Sequence, residues 1–240
     1  VGDSCKDIFI YGDIERICPE APVPVINPTR KTENGGMSKN VKANIEVLGN
    51  KVDIITNPNN IKKIRYVDNS LNQLVLRVDE HDYCEKINEK QLKYIKDNKF
   101  DAVVISDYCK GFLNEENIEY ICKNNNNVFI DTKKKLGDWI LAADYIKINH
   151  IEYLKNFNII EGYSELKDKL IVTQGPRGCI FKDEVFPVEE VLVKDVSGAG
   201  DTFLSGLVVE YLKSGDIKKS INFAQECTTK VVQKSGVSTV

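Results

Sequence analysis

The octapeptide Asp195-Val196-Ser197-Gly198-Ala199-Gly200-Asp201-Thr202 joins an apolar run, residues 191–193, to a segment of helical periodicity. Apolar residues in that segment recur at intervals of three and four, which is the spacing of one buried helix face. They are Phe203, Leu204, Leu207, Val208, Tyr211 and Leu212. Because glycines stand between the two segments, the sequence predicts a strand, a tight turn and then a helix.

The chemistry of this turn suits phosphoryl transfer. Small residues at a helix N-terminus leave backbone N–H groups bare, and the helix dipole favours an anion there. Asp201 falls in the first turn of the predicted helix, where its carboxylate can accept a proton from a hydroxyl group. A purely structural interpretation stays open from the octapeptide alone, because a glycine-rich turn also lets a helix pack closely on a sheet.

Composition indicates an ordinary globular protein. The chain has 240 residues, 42% hydrophobic and 29% charged, with a net charge of -3. We expect one domain over residues 1–240, no nucleic-acid partner and no membrane span. Seven scattered cysteines without a Cys-x-x-Cys pair predict reduced thiols, no zinc site and a cytoplasmic location. The opening Val1-Gly2-Asp3 lacks a methionine, so we expect a trimmed start.

The pattern along the chain predicts an α/β fold. Four prolines within residues 19–28 predict an extended edge segment, and residues 41–48 a helix that Gly49 ends. We predict a short buried strand at 52–55 and a hairpin from 64–67 and 74–78. After Glu85, helices and strands alternate, which predicts a mostly parallel sheet with helices on both faces. The predicted strands are 102–105, 128–130, 145–148 and 170–173, and the helices are 85–95, 113–122 and 152–157.

Polar residues follow these strands, where open α/β sheets bind ligands. They are Ser106-Asp107-Tyr108, Asp131-Thr132-Lys133, Asn149 with Glu152, and Thr173 with Gly175 and Gly178.

With these loops placed, the chain resembles the ribokinase-like (PfkB) family of sugar kinases. The family signal is the octapeptide, Gly35-Gly36 and Asn149-x-x-Glu152. More narrowly, the chain is similar to the D-glycero-D-manno-heptose 7-phosphate kinases of ADP-heptose synthesis. That narrower signal is the run from Arg16 to Val25, Leu76-Arg77-Val78-Asp79, Ser106-Asp107-Tyr108-x-Lys110-Gly111 and Gly236-Val237-Ser238-Thr239-Val240.

The resemblance implies a three-layer ribokinase-like fold and an ATP- and Mg²⁺-dependent kinase for the anomeric hydroxyl of that sugar phosphate. Asp201 would be the catalytic base, and Gly198, Ala199 and Gly200 would form the anion hole. The sugar would contact Asp7, Gly35, Gly36, Asn40 and Asp107. The nucleotide would contact Asn149, Thr173, Gly175, Gly178, Ser197 and Gln225, and Glu152 would hold Mg²⁺ through water.

The substrate's own phosphate needs cations, because arginine and lysine bind phosphate through charge-assisted hydrogen bonds. Arg77 and Lys110 stand in the family-like motifs and are our candidates; Lys63 and Arg65 are further candidates that surface solvation explains equally well. The resemblance also implies a small β lid, over residues 8–33 and 62–80. A lid face carrying Val23, Val25, Val67 and Val75 would need cover, so we expect a homodimer through the lid.

Several departures leave alternatives open. Residues 55–63 are short where relatives carry a further helix, strand and loop, so the chain is shortened relative to the family. Met37-Ser38-Lys39 enlarges the Gly35–Asn40 loop, which is compatible with a kinase for a different sugar or sugar phosphate. A non-catalytic sugar-phosphate-binding derivative is the alternative from another class. A dinucleotide-binding protein is disfavoured, since no Gly-x-Gly-x-x-Gly follows a first strand.

Overall fold

The computed structural model describes residues 1–58, 60–234 and 236–240 and contains two β-sheets. The larger sheet has six strands in the order β10-β9-β8-β7-β6-β5. Strands β5 to β8 run parallel, and β9 and β10 extend the sheet antiparallel. The strands are β5 Val103–Asp107, β6 Val128–Thr132, β7 Tyr145–Asn149, β8 Leu170–Thr173, β9 Cys179–Phe181 and β10 Glu184–Phe186.

Seven helices belong to the described part of the chain. They are α1 Ser38–Val47, α2 Glu89–Asp97, α3 Glu115–Asn124, α4 His150–Gly162, α5 Ser164–Lys167, α6 Ala199–Ser214 and α7 Ile217–Val232. Two short 3-10 turns lie at Asp138–Ile140 and Gly175–Arg177. Helices α2, α3 and α4 begin with asparagine caps, which satisfy N–H groups that a helix leaves free.

Helices cover both faces of the six-stranded sheet because successive strand residues point to opposite sides. On one face Ile130 packs in a core with Ile118 and Ile121 of α3. On the other face its neighbour Phe129 packs with Leu204 and Leu207 of α6. The predicted three-layer α/β fold is therefore confirmed.

The second sheet has the order β2-β1-β3-β4. Its strands are β1 Ser4–Ile17, β2 Pro24–Met37, β3 Ile61–Asp68 and β4 Gln73–Glu80. Of the predicted proline-rich edge segment, Pro24 and Pro28 lie in the edge strand β2, whereas residues 18–23 form the turn between β1 and β2. Strands β3 and β4 form the predicted hairpin. Val67 is buried against Phe9 and Tyr11, so it does not belong to the exposed lid face expected from the sequence.

Two predicted strands are wrong. Residues 51–55 form no strand, and only Thr56 makes an isolated bridge to Gly2. Residues 187–198 are irregular, and Leu192 is 81% exposed. The backbone there follows α7 instead, since the N–H groups of Lys194 and Asp195 both donate to the Val232 carbonyl at 2.8 and 3.2 Å.

Strands β9 and β10 and helix α7 were not predicted. The hairpin turn uses Lys182 and Asp183, both with positive φ (49° and 61°), where Asn-Gly would have given a clear signal. In the described residues we find no helix with the length and apolar character needed to cross a bilayer.

Candidate active site

The glycine-rich turn begins helix α6, and its glycines admit two neighbouring side chains. Gly198 caps the helix with φ at 83°, and a Cβ there would lie 2.7 Å from the Asn40 amide nitrogen. A Cβ on Gly200 would lie 2.8 Å from the Lys147 ammonium. The turn begins a helix and stands directly against a buried cation, which suits an anion, although the Ala199 N–H already donates to the Val196 carbonyl at 3.1 Å.

Asp201 is the central acid of this turn and is 4% exposed. The Asn40 amide donates to Oδ2 at 2.9 Å, and the Tyr108 hydroxyl donates to Oδ1 at 2.8 Å. Burial raises the pKa of Asp201 to about 6, while both hydrogen bonds oppose that rise because they stabilise the carboxylate. Asp201 is consequently ionised at pH 7 and can still accept a proton.

Buried charges alternate beneath the turn, at the carboxyl ends of β6 and β7. The Lys147 ammonium lies 2.7 Å from Asp131 Oδ2, with both side chains 4% exposed. Lys133 binds Glu152 at 2.5 Å and lies 4.0 Å from Asp131 Oδ1. Asp131 Oδ1 is buried and accepts no hydrogen bond from the described residues. Asp131 offers one free carboxylate oxygen, while both oxygens of Glu152 have partners, so this pair fits a magnesium ion that keeps its waters and is held through them.

Asn149 and Glu152 are also structural residues, because they form the capping box of α4. The Asn149 side chain accepts from Glu152 N at 2.9 Å, and Glu152 Oε2 accepts from Asn149 N at 2.8 Å. The pairing fixes Glu152 at the sheet edge, 8% exposed.

A pocket of about 320 Å³ adjoins the glycine-rich turn. Four residues predicted for the nucleotide line it, together with two of the anion hole: Thr173, Gly175, Gly178, Gln225, Ala199 and Gly200. The apolar run that the sequence suggested to be a strand also lines it, through Val191 and Val193. Ser197 lies elsewhere, in a pocket of about 200 Å³ beside the lid.

Residues predicted for the sugar lie where the lid sheet meets α1. Asp7 of β1 is 6% exposed and binds Arg65 at 2.5 Å. Gly35 and Gly36 end β2, and Asn40 of α1 connects this region to Asp201. Asp107 does not join them, because it is 1% exposed and binds Thr132 and Lys134. Burial raises the pKa of Asp107.

The four candidate cations have different environments. Arg77 makes two 2.7 Å hydrogen bonds to Asp79, and Lys110 pairs with Asp82. Lys63, by contrast, is 8% exposed, and no carboxylate in the described ranges forms a salt bridge with it. Burial lowers the pKa of Lys63. Because no salt bridge ties Lys63 to a carboxylate of the described residues, whereas Arg77 and Lys110 each have one, Lys63 is better suited to an incoming anion.

Sequence reasoning missed Tyr108 and Asp3. Tyr108 belongs to the Ser106–Gly111 motif, but the sequence prediction assigned a sugar contact to its neighbour Asp107. Asp3 is fully buried and accepts hydrogen bonds from the N–H groups of Tyr108, Lys110 and Phe112 at 2.7, 3.1 and 3.2 Å. No pattern in the sequence connects positions so far apart.

Comparison with known proteins agrees with this geometry. The pfkB family of carbohydrate kinases matches residues 62–240, which is more than half of the chain. The chain belongs to the PfkB family of carbohydrate kinases. It is therefore a phosphotransferase with an alcohol group as acceptor.

Two curated relatives are bifunctional proteins HldE. That of Sulfurimonas denitrificans is 29% identical over 292 aligned positions, which include 100% of this chain and 61% of the relative. That of Campylobacter jejuni is 29% identical over 280 aligned positions, which include 98% of this chain and 61% of the relative. The chain thus spans about 61% of the length of these relatives. Because 292 aligned positions exceed 240 residues, the relative also carries segments that this chain lacks.

Solved structures share the fold. Escherichia coli phosphofructokinase-2, solved with potassium, superposes with a TM-score of 0.75 at 13% identity, over 99% of this chain and 94% of that chain. Arabidopsis thaliana ribokinase, solved with ribose and ATP, superposes with a TM-score of 0.69 at 14% identity, over 98% of this chain and 92% of that chain. The ribokinase-like fold predicted from the sequence is confirmed, in shortened form.

Proposed function

We propose that this PfkB kinase transfers the γ-phosphoryl group of ATP to the anomeric hydroxyl of D-glycero-D-manno-heptose 7-phosphate, a step in ADP-heptose synthesis. The observation that carries the proposal is Lys63, buried beside Tyr108 near the proposed base and lacking a salt bridge to any described carboxylate. A substrate phosphate would supply that partner. The resemblance in Arg16–Val25 and the other narrow motifs supports the same sugar.

Asp201 would accept the hydroxyl proton as the sugar oxygen attacks phosphorus, since its raised pKa of about 6 lies close to neutral pH. The N–H groups of Gly198, Ala199 and Gly200 would stabilise the negative oxygens of the phosphoryl group in transfer. Lys147, packed against Gly200 and paired with Asp131, would place an ammonium group beneath them.

The nucleotide would occupy the pocket lined by Thr173, Gly175, Gly178 and Gln225, with its phosphates toward α6. Glu152 and Asp131 would hold Mg²⁺ through water, with Lys133 as a neighbouring cation. When bound, Mg²⁺ neutralises charge on the phosphates.

The lid sheet would cover the sugar and exclude water. Its strand β4 exposes Leu74, Val75, Leu76 and Val78, at 51, 37, 53 and 37%. Such a face is compatible with a homodimer through the lid, and analytical ultracentrifugation at micromolar concentration would show a monomer if this is wrong.

A kinase for a different sugar is the second candidate, favoured by Met37. This buried residue follows Gly36 and has φ at 58°, a backbone angle that is unusual for residues other than glycine. The backbone that contacts the sugar could thus be specialised for another substrate.

A coupled ADP-release assay with ATP and Mg²⁺ tests the proposal. Turnover of heptose 7-phosphate, absent with heptose, ribose and fructose 6-phosphate, is the expected result. Asp201→Asn should abolish turnover and leave sugar binding by calorimetry largely intact. Turnover of another sugar would refute the substrate, and binding without turnover in the wild type would favour a non-catalytic derivative.

A further inference from the structure

The loop after β5 brings a tyrosine hydroxyl to the proposed base. Tyr108 donates to Asp201 Oδ1 at 2.8 Å, across 93 residues of sequence. The other oxygen already accepts from Asn40. Because a carboxylate has about four lone-pair sites, both oxygens keep unused acceptor capacity for a substrate hydroxyl.

This tyrosine is held in place from both ends. Its backbone N–H donates to the fully buried Asp3, which fixes the loop up to Phe112 by two further N–H groups. Its ring has the ammonium groups of Lys63 and Lys133 at 5.2 and 5.3 Å from the centroid. Cation–π contact of this kind fixes the plane of the ring. The hydroxyl therefore reaches Asp201 in a preset direction.

The charged groups around Asp201 come from several elements. Asp131 of β6 raises the pKa of Asp201, and Lys147 of β7 lowers it. Lys133, following β6, and Cys5 of β1 also face this region. Burial raises the pKa of Cys5 to about 12, so it carries no charge at neutral pH. Burial raises the pKa of Asp201 most, and the two hydrogen-bond donors, Asn40 and Tyr108, oppose it by stabilising the ionised form.

We propose that Tyr108 is a positioning residue of the transfer reaction, which orients Asp201 toward the sugar hydroxyl and stabilises its ionised form. The inference rests on the proposed function only for the role of Asp201 as base. Tyr108 itself neither gains nor loses a proton during the reaction, because burial and the nearby Asp201 raise its pKa well above the usual range.

Tyr108→Phe removes one oxygen and keeps the ring between the two lysines. We expect the acidic limb of kcat/KM to move up by about one pH unit, because a hydrogen bond to the charged form lowers a carboxylate pKa by roughly that amount. We expect kcat at neutral pH to fall at least about tenfold, with the KM for ATP unchanged. An acidic limb of the Tyr108→Phe profile at the same pH as in the wild type would overturn the proposal.

Tyr94→Phe is a matched control, since Tyr94 also donates to an aspartate, Asp53, at 2.8 Å, but on the surface. It should leave the pH profile unchanged. A second readout needs no turnover: carboxyl ¹³C NMR of the aspartates, with Asp201 assigned by Asp201→Asn, should show the same upward shift in Tyr108→Phe. An unshifted signal refutes the role of Tyr108, whereas a shifted signal in a protein without kinase activity refutes only the proposed function.

Discussion

Two glycines of the proposed nucleotide pocket provide a matched test of this structure. Gly178 has φ 83° and ψ -134°, a region that only glycine adopts readily. A Cβ there would lie 1.9 Å from the Phe186 carbonyl oxygen and 2.9 Å from Gln225 Nε2. Gly175 has φ at 60°, yet a Cβ would meet nothing within 4 Å. The variants Gly178→Ala and Gly175→Ala therefore differ in steric overlap.

The expected magnitudes follow from these distances. Gly175→Ala lowers the free energy of unfolding by about 1 kcal/mol, because alanine is strained in the left-handed backbone conformation. Gly178→Ala adds overpacking, because the Phe186 carbonyl must retreat by about 1 Å and lose the 2.7 Å hydrogen bond from buried Gln225. We expect a total of about 3 kcal/mol. At about 2–4 °C per kcal/mol for a chain of this size, Tm falls by about 2–4 °C in the first variant and about 6–12 °C in the second.

Differential scanning calorimetry, with and without ATP, measures both effects. The stabilisation that ATP provides should weaken more in Gly178→Ala, because Gln225 and Phe186 adjoin the pocket wall. Equal Tm values for the two variants would refute the reasoning, since only the steric overlap distinguishes them.

Two further predictions concern buried charges. Lys63→Met should raise the KM for the sugar phosphate at least about tenfold and leave the KM for ATP unchanged. The control Lys62→Met removes a partly exposed lysine that loses only its bond to Glu80, and it should change neither KM. An unchanged KM for the sugar phosphate in Lys63→Met would contradict a phosphate site at Lys63. Burial raises the pKa of Asp201 from 3.8 to about 6. The contribution of Asp201 to the free energy of unfolding is therefore favourable below pH 4 and is lost as the pH rises through 6. Asp201→Asn should thus be more stable than the wild type at pH 7.5, by up to about 3 kcal/mol. Chemical denaturation should show that this difference in the free energy of unfolding vanishes near pH 4. A difference that stays constant with pH would contradict the raised pKa.

Local patterns predicted much of the site and fold. The glycine-rich turn and the apolar stripe of α6 were evident because helix periodicity and N-terminal chemistry are local properties. The alternation of Phe129 and Ile130 across the sheet follows from strand geometry alone. The strand predicted at residues 191–193 is wrong because an apolar triplet is equally compatible with a strand and with the wall of a pocket.

The sequence by itself determined the alternation of strands and helices from β5 to β8 and the position of Asp201 at a helix N-terminus. Only the tertiary structure decided which charges are paired: Arg77 and Lys110 have carboxylate partners, and Lys63 has none among the described residues. It also brought Tyr108 to Asp201 and Asp3 to the loop after β5. The physical reason is that hydrogen bonds and ion pairs depend on distances between residues far apart in the chain, and those distances are set when the two sheets and their helices pack.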